Sequence, residues 1–450
     1  MISAAQLNEI SQVIDNFYSS NSTHDTQTQK LFQDWQKDDI IAIPLAIHLL
    51  DLQNNYSTNC KYFGALTFTV QLNKYLKANS ESAVVIGDDI DYNDSTTPDT
   101  TNSSTDKQDF LVDCLNELIF QLCAYSITYL QDHRKNATLL PVINKIISNL
   151  SIIFINVNKE CLNLFFGGLV KTGKIGWKNP FNSFISGCLI LMNDQENFLN
   201  KKEEYKKQIY ENLNTEDTNG NLFEFLNISM QSNKLILSFL NILMEEVIKN
   251  VESFRILPIQ LSNIFLVIKE SCYASVLTIL NYNLQIRIDS GKESELYSSD
   301  DLLFQTLLSW VKYCQTIPAY MTEEDGNAQT GGLAPLIFKI LQLMTCDMEN
   351  FQYTNQCINV FYHLMERDSI NSGSNGSGGN KLLDYDIRCM IELQFNPDTP
   401  LNIVNPEIAN NINKTWILKY LEYLVENELY GDDGLKKLSI FYVSLLENSI

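Results

Sequence analysis

The chain has 450 residues, more than one ordinary hydrophobic core supports, so it is either several domains or a repeat array. Lys and Arg total 32 against 54 Asp and Glu, a net charge of -22. That balance argues against direct binding to nucleic acid or an anionic membrane and favours basic protein partners, because phosphate binding needs clustered cations.

Ten cysteines are scattered with no close C-x-x-C pair, the pattern of reduced thiols rather than a disulfide framework. Met1 to Tyr18 carries acids at Glu9 and Asp15 and no basic start, unlike a signal peptide. No stretch reaches the roughly 18 uninterrupted apolar residues of a membrane span, so no membrane insertion is expected.

In chain order, nearly every apolar stretch follows the helical period. Leu7, Ile10, Val13, Ile14 and Phe17 share one face. A short helix around Leu31 and Trp35 follows, then helices over Ile40 to Leu52 and Tyr62 to Leu76. Phe110 to Leu130 and Leu139 to Ile155 form the next pair, with Pro141 in the first turn, where proline is tolerated. The pattern predicts further helices over Asn158 to Val170, Phe181 to Met192, Phe198 to Leu213, Phe223 to Met230, Lys234 to Ile248, Leu261 to Leu284 and Asp301 to Tyr313. Five more fall between Leu333 and Glu447. Strand signals are scarce. The expected fold is all-α, a solenoid of HEAT/ARM-type helix pairs repeating every ~40–47 residues.

Three parts are expected along the chain: N-terminal HEAT repeats over 1–78, an acidic disordered insert over 79–107, and further repeats over 108–450. The last part carries loops near 214–221, 322–332 and 369–380. The final helix, with Leu438, Phe441, Tyr442, Leu445 and Leu446, presents a broad apolar stripe without a polar cap. A solenoid end needs such a cap, so residues beyond Ile450 are expected in the natural product.

Signals for chemistry are weak. The four histidines lie in no zinc spacing, and no catalytic, cofactor or metal site is expected. Gly168 to Lys174 matches a phosphate-binding loop up to its lysine. Ile175 then stands where the motif needs Ser or Thr, and Trp177 and Pro180 interrupt the helix that should follow. A loop ending a helix is the favoured reading. The acidic pairs Glu245–Glu246 and Asp300–Asp301 fall near predicted helix ends, where carboxylates suit the helix dipole. They are also candidates for binding Lys/Arg-rich cargo along an inner surface.

Several stretches, in order, resemble the karyopherin-β nuclear transport receptors. Gln29-Lys30-Leu31-Phe32-Gln33-Asp34-Trp35 looks like that family's first repeat, and Tyr62-Phe63-Gly64-Ala65-Leu66-Thr67 like its aromatic-rich stretch with small residues for close helix approach. Trp177-Lys178-Asn179-Pro180 resembles its Trp-x-x-Pro element. The stretch from Leu235 to Val247, with Met244 in place of the usual proline, and Leu307 to Cys314 resemble the transportin-SR group. The resemblance implies the N-terminal portion of an importer that shuttles between cytoplasm and nucleus. It would bind Ran in its GTP form, basic protein cargo and nucleoporins. The second helices of the first repeats would line the GTPase site. On the Tyr62 to Leu76 helix, Thr67, Gln71 and Lys74 are the candidate Ran-binding face, read as polar positions opposite the apolar one. The alternative is a HEAT-repeat scaffold of a cytosolic complex without Ran dependence.

Overall fold

The computed structural model describes residues 3–19, 26–84, 101–157, 180–212, 218–252, 274–290 and 300–316, together with positions 356 and 360. Among these residues there are twelve α-helices and no strand. They are α1 (Ala4–Ser19), α2 (Thr26–Lys37), α3 (Ala42–Leu50), α4 (Thr58–Val84), α5 (Thr101–Gln131), α6 (Leu140–Val157), α7 (Pro180–Met192), α8 (Lys202–Asn212), α9 (Thr218–Ile228), α10 (Met230–Glu252), α11 (Ala274–Ser290) and α12 (Asp300–Thr316). No described helix is long and apolar enough to cross a membrane. The all-helical expectation is met.

The chain divides into two compact units, 1–267 and 268–450. In the first unit the described helices pack both on sequence neighbours and on helices further along the chain. The α4 helix lies on α3 and on α6, α6 on α5 and α10, and α5 on α7. The α8 and α9 helices both rest on α7. In the second unit α11 and α12 pack together and bury Val276, Ile279, Leu280, Leu284, Leu303, Phe304, Leu307 and Trp310.

The first four helices close a small core of Ile10, Ile14, Phe32, Leu45, Leu49, Cys60 and Phe63. Its centre is aromatic. Phe32 lies edge-on between Phe17 and Phe63, each ring centroid 5.0 Å away, and Trp35 flanks it at 5.8 Å. Gly64 lets α4 close onto α3: a Cβ there would stand 2.9 Å from the Ala46 carbonyl oxygen and 3.2 Å from Leu49 Cβ. Backbone cannot give way at that distance, so the small residue is a packing requirement. Burial pushes the Cys60 thiol up to about 11, the Ser57 hydroxyl opposing and the Asp15 charge adding to it. Cys60, Cys114, Cys123 and Cys188 are all buried free thiols.

Several boundaries differ from the sequence reading. The helices α4 and α5 run to Val84 and from Thr101, so both ends of the segment expected to be disordered are helical. The loop expected near 214–221 is helical from Thr218. The helix expected from Phe198 starts at Lys202, because Phe198 is buried in a tight turn where the amides of Phe198 and Lys201 donate back to Asp194 and Asn197. Pro141 and Pro180 do sit in the first turns of α6 and α7. The phosphate-loop-like stretch at Gly168 to Lys174 lies outside the described residues, as do the loops at 322–332 and 369–380.

Candidate functional site

A groove of about 520 Å³ opens in the first unit where α3, α4, α5 and α8 meet. Ile43, Ile47 and Phe68 make its apolar wall, and Asp113, Asn116, Glu117, Glu203, Lys206 and Lys207 its polar one. The helical period explains the arrangement. On α5, Cys114, Glu117, Leu118 and Gln121 fall on one face at spacings of three and four. That face is buried, and Glu117 is only 5% exposed.

A carboxylate buried there has to be paired or neutralised. Two lysines one turn apart on α8 supply the charge. Lys202 Nζ lies 2.9 Å from Glu117 Oε1, and Lys206 Nζ pairs with Oε2. Gln121 Nε2 donates to Oε1 at 2.8 Å. The lysines are shared outward: Lys202 reaches Asp51 Oδ2 at 3.3 Å and Lys206 reaches Glu203 Oε1 at 3.1 Å. Both ammonium groups also stand over the Phe120 ring, 5.7 and 5.9 Å from its centroid, within cation–π range.

The electrostatics follow from this geometry. Burial pushes the Glu117 carboxyl up, but the Lys202 charge and the hydrogen bonds from Gln121 and Lys206 outweigh it, and the net direction is down. Burial likewise opposes charge on Lys206, and its bonds to Glu117 and Glu203 carry it above the ordinary lysine value. The pair is therefore ionised at neutral pH. Cys114, also on the groove wall, is pushed up to about 12 by burial and by the charges of Asp113 and Glu117. A thiol held that high is not a nucleophile at neutral pH. The groove offers charge and apolar contact to a binding partner.

The residues singled out from sequence lie elsewhere. Thr67 is fully buried and donates its hydroxyl to the Phe63 carbonyl. Gln71 is also buried, and its Nε2 donates to the Gln36 carbonyl at 2.7 Å and to that of Asp38 at 3.4 Å. Lys74 is part-exposed, donates to the Lys37 carbonyl at 2.8 Å and pairs with Asp39. Two of the three candidate positions, Thr67 and Gln71, are therefore interior. The α4 helix is packed by α1, α2, α3 and α6, and Gln71 and Lys74 staple it to the end of α2 and the turn that follows.

The acidic pairs separate too. Glu245 is exposed and accepts from Asn241 Nδ2 at 2.9 Å. Glu246 turns inward and accepts from Ser148 Oγ on α6 at 2.9 Å. Asp300 and Asp301 open α12 in the second unit, the position a helix dipole favours.

The site that sequence reasoning missed, Glu117 with Lys202 and Lys206, did leave a signal. Glu117 and Gln121 interrupt an otherwise apolar face of α5, and the two lysines share the four-residue spacing that puts both on one face of α8. Nothing local says that those two faces meet. No known protein-family model matches the chain, and no characterised protein matches its sequence.

Proposed function

We propose that the chain is a HEAT-type helical array that works by binding proteins, as a nuclear transport receptor of the karyopherin-β type. The observation that carries this reading is the meeting of two resembling stretches. Phe32, from Gln29 to Trp35, and Phe63, from Tyr62 to Thr67, stack edge-on at the centre of the N-terminal core. The stacking of α4 on α6 and of α5 on α7, each on the next described helix but one, also supports a solenoid of helix pairs. The stretches from Leu235 to Val247 and from Leu307 to Cys314 fall within α10 and α12, as repeat helices would.

In this reading the receptor takes basic cargo, engages Ran-GTP and nucleoporins, and shuttles between cytoplasm and nucleus. Its charge of -22 suits basic clients. The test is retention of the full chain on immobilised Ran loaded with a non-hydrolysable GTP analogue, against Ran-GDP. Retention on the GTP form alone is expected. Equal or absent retention on both overturns the transport reading.

One observation favours the second reading, a scaffold without Ran dependence. Thr67 and Gln71 are interior, so the proposed GTPase face on α4 is committed to intramolecular contacts. Retention on Ran-GTP that survives substitution of exposed Lys74 would place the GTPase contact on other residues. A chain that binds neither form of Ran, yet copurifies with a stoichiometric protein partner, would be such a scaffold.

A further inference from the structure

The α8 helix is held along two edges of different chemistry. Its α7 edge is apolar and tight. Ile209 is buried above Gly187, where a Cβ would lie 3.4 Å from Ile209 Cγ2, and buried Tyr205 donates its hydroxyl to Asp194 at 2.8 Å. The turn ahead of α8 is pinned as well, because Gln53 Nε2 donates to the Leu199 carbonyl at 2.8 Å. Its α5 edge is ionic. Lys202 and Lys206 converge on Glu117 and cover Phe120, while Glu203, Lys206 and Lys207 form one wall of the groove. Among the residues of α8 whose burial is described, 202–209, Tyr205 and Ile209 are the buried apolar anchors.

We propose that α8 is a strap, hinged on α7 and latched to α5 through the Glu117 carboxylate, whose release opens the groove beside it. The asymmetry follows from desolvation. Removing the shared carboxylate leaves two lysines against an apolar ring without the α5 group that both of them pair with. Both lysines are about four-fifths buried and sit on the outer element, so water reaches them once α8 swings out. Swinging α8 out keeps Ile209 on α7, whereas moving α5 would break its packing on both α6 and α7. The groups facing Glu117 are Gln121 from α5 and Lys202 and Lys206 from α8, with Asp51 and Glu203 on the far side of those lysines.

The test is peptide-resolved hydrogen exchange and N-ethylmaleimide labelling on the full chain and its Glu117→Gln and Lys206→Met variants. In Glu117→Gln, the loss of protection over 202–212 should exceed that over 180–192 by roughly tenfold or more. Cys114, 2% exposed on the groove wall, should label faster in Lys206→Met, which keeps the Glu117 charge beside the thiol, and Cys123 and Cys188, buried elsewhere on α5 and on α7, should not change. Should Glu117→Gln fail to fold, Lys206→Met, which leaves Glu117 paired with Lys202, carries the exchange readout at smaller amplitude. Unchanged exchange over 202–212 overturns the latch. An equal loss of protection over 180–192 and 202–212 overturns the hinge, and an unchanged Cys114 beside a loosened α8 overturns the opening of the groove.

Discussion

Two polar seams hold the first unit together, and they are built from opposite materials. At the α4 seam, Gln71 and Lys74 reach across to main-chain carbonyls of Gln36, Lys37 and Asp38. At the α5–α8 seam, side-chain charges meet one another around Glu117. Carbonyl oxygens do not titrate and Gln71 carries no charge, so the Gln71 part of the first seam is indifferent to pH, and the exposed Lys74–Asp39 pair beside it is screened by solvent. The second is strong while both charges are present and expensive once either is lost. A polar seam can thus be permanent or conditional, and the choice lies in whether the acceptor is backbone or carboxylate.

The largest expected effect breaks the conditional seam. Glu117→Gln should destabilise the first unit by about 3–5 kcal/mol, the range for removing one partner of a buried pair. Urea unfolding followed by the near-ultraviolet signal measures it. Replacing Glu117, Lys202 and Lys206 together by Leu, Met and Met should recover most of that loss, since an apolar replacement leaves no charge to desolvate.

Acid should act on the same seam. The folded Glu117 value lies below the unfolded one, so its contribution is fully present above the unfolded carboxylate range near ~4.3 and is lost as pH falls through the folded value. Lys206 is raised, so its contribution holds below the unfolded lysine value of ~10.4 and is lost as pH rises through the folded one. Subtracting the unfolding curve of Glu117→Gln from that of the natural chain, from neutral pH downwards, should show the difference between them shrinking in acid. A Gln71→Ala variant compared in the same way should show a constant difference.

The permanent seam should give smaller losses. Gln71→Ala removes the donor shared by two carbonyls and should cost about 1–2 kcal/mol. Lys74→Ala, with a side chain 44% exposed, should cost under about 1 kcal/mol in urea melts. A loss at Lys74 equal to that at Glu117 would erase the distinction between the seams.

Helical periodicity alone determined the class of this fold and most of its elements: α1 to α7, α10 and α12 lie where apolar residues recur at three and four. Gly64, inside an aromatic-rich run, announced a close helix approach that the 2.9 Å distance to Ala46 bears out. Periodicity failed on the α4 face, because it separates polar from apolar but not outside from inside. Thr67 and Gln71 read as one polar face opposite the apolar one, yet both are buried: Thr67 donates to the Phe63 carbonyl of its own helix, and Gln71 to the Gln36 carbonyl across from it. It failed as well at Phe198, where a buried aromatic belongs to a turn and not to the helix after it. The groove lay further from reach. Glu117 is 85 residues from Lys202 and 89 from Lys206, and only the docking of α8 beside α5 turns three separate charges into one buried cluster. Spacing within a helix is a local property that the chain carries in its sequence. Which charged face meets which is settled by the free energy of desolvating them, and that exists only once the helices pack.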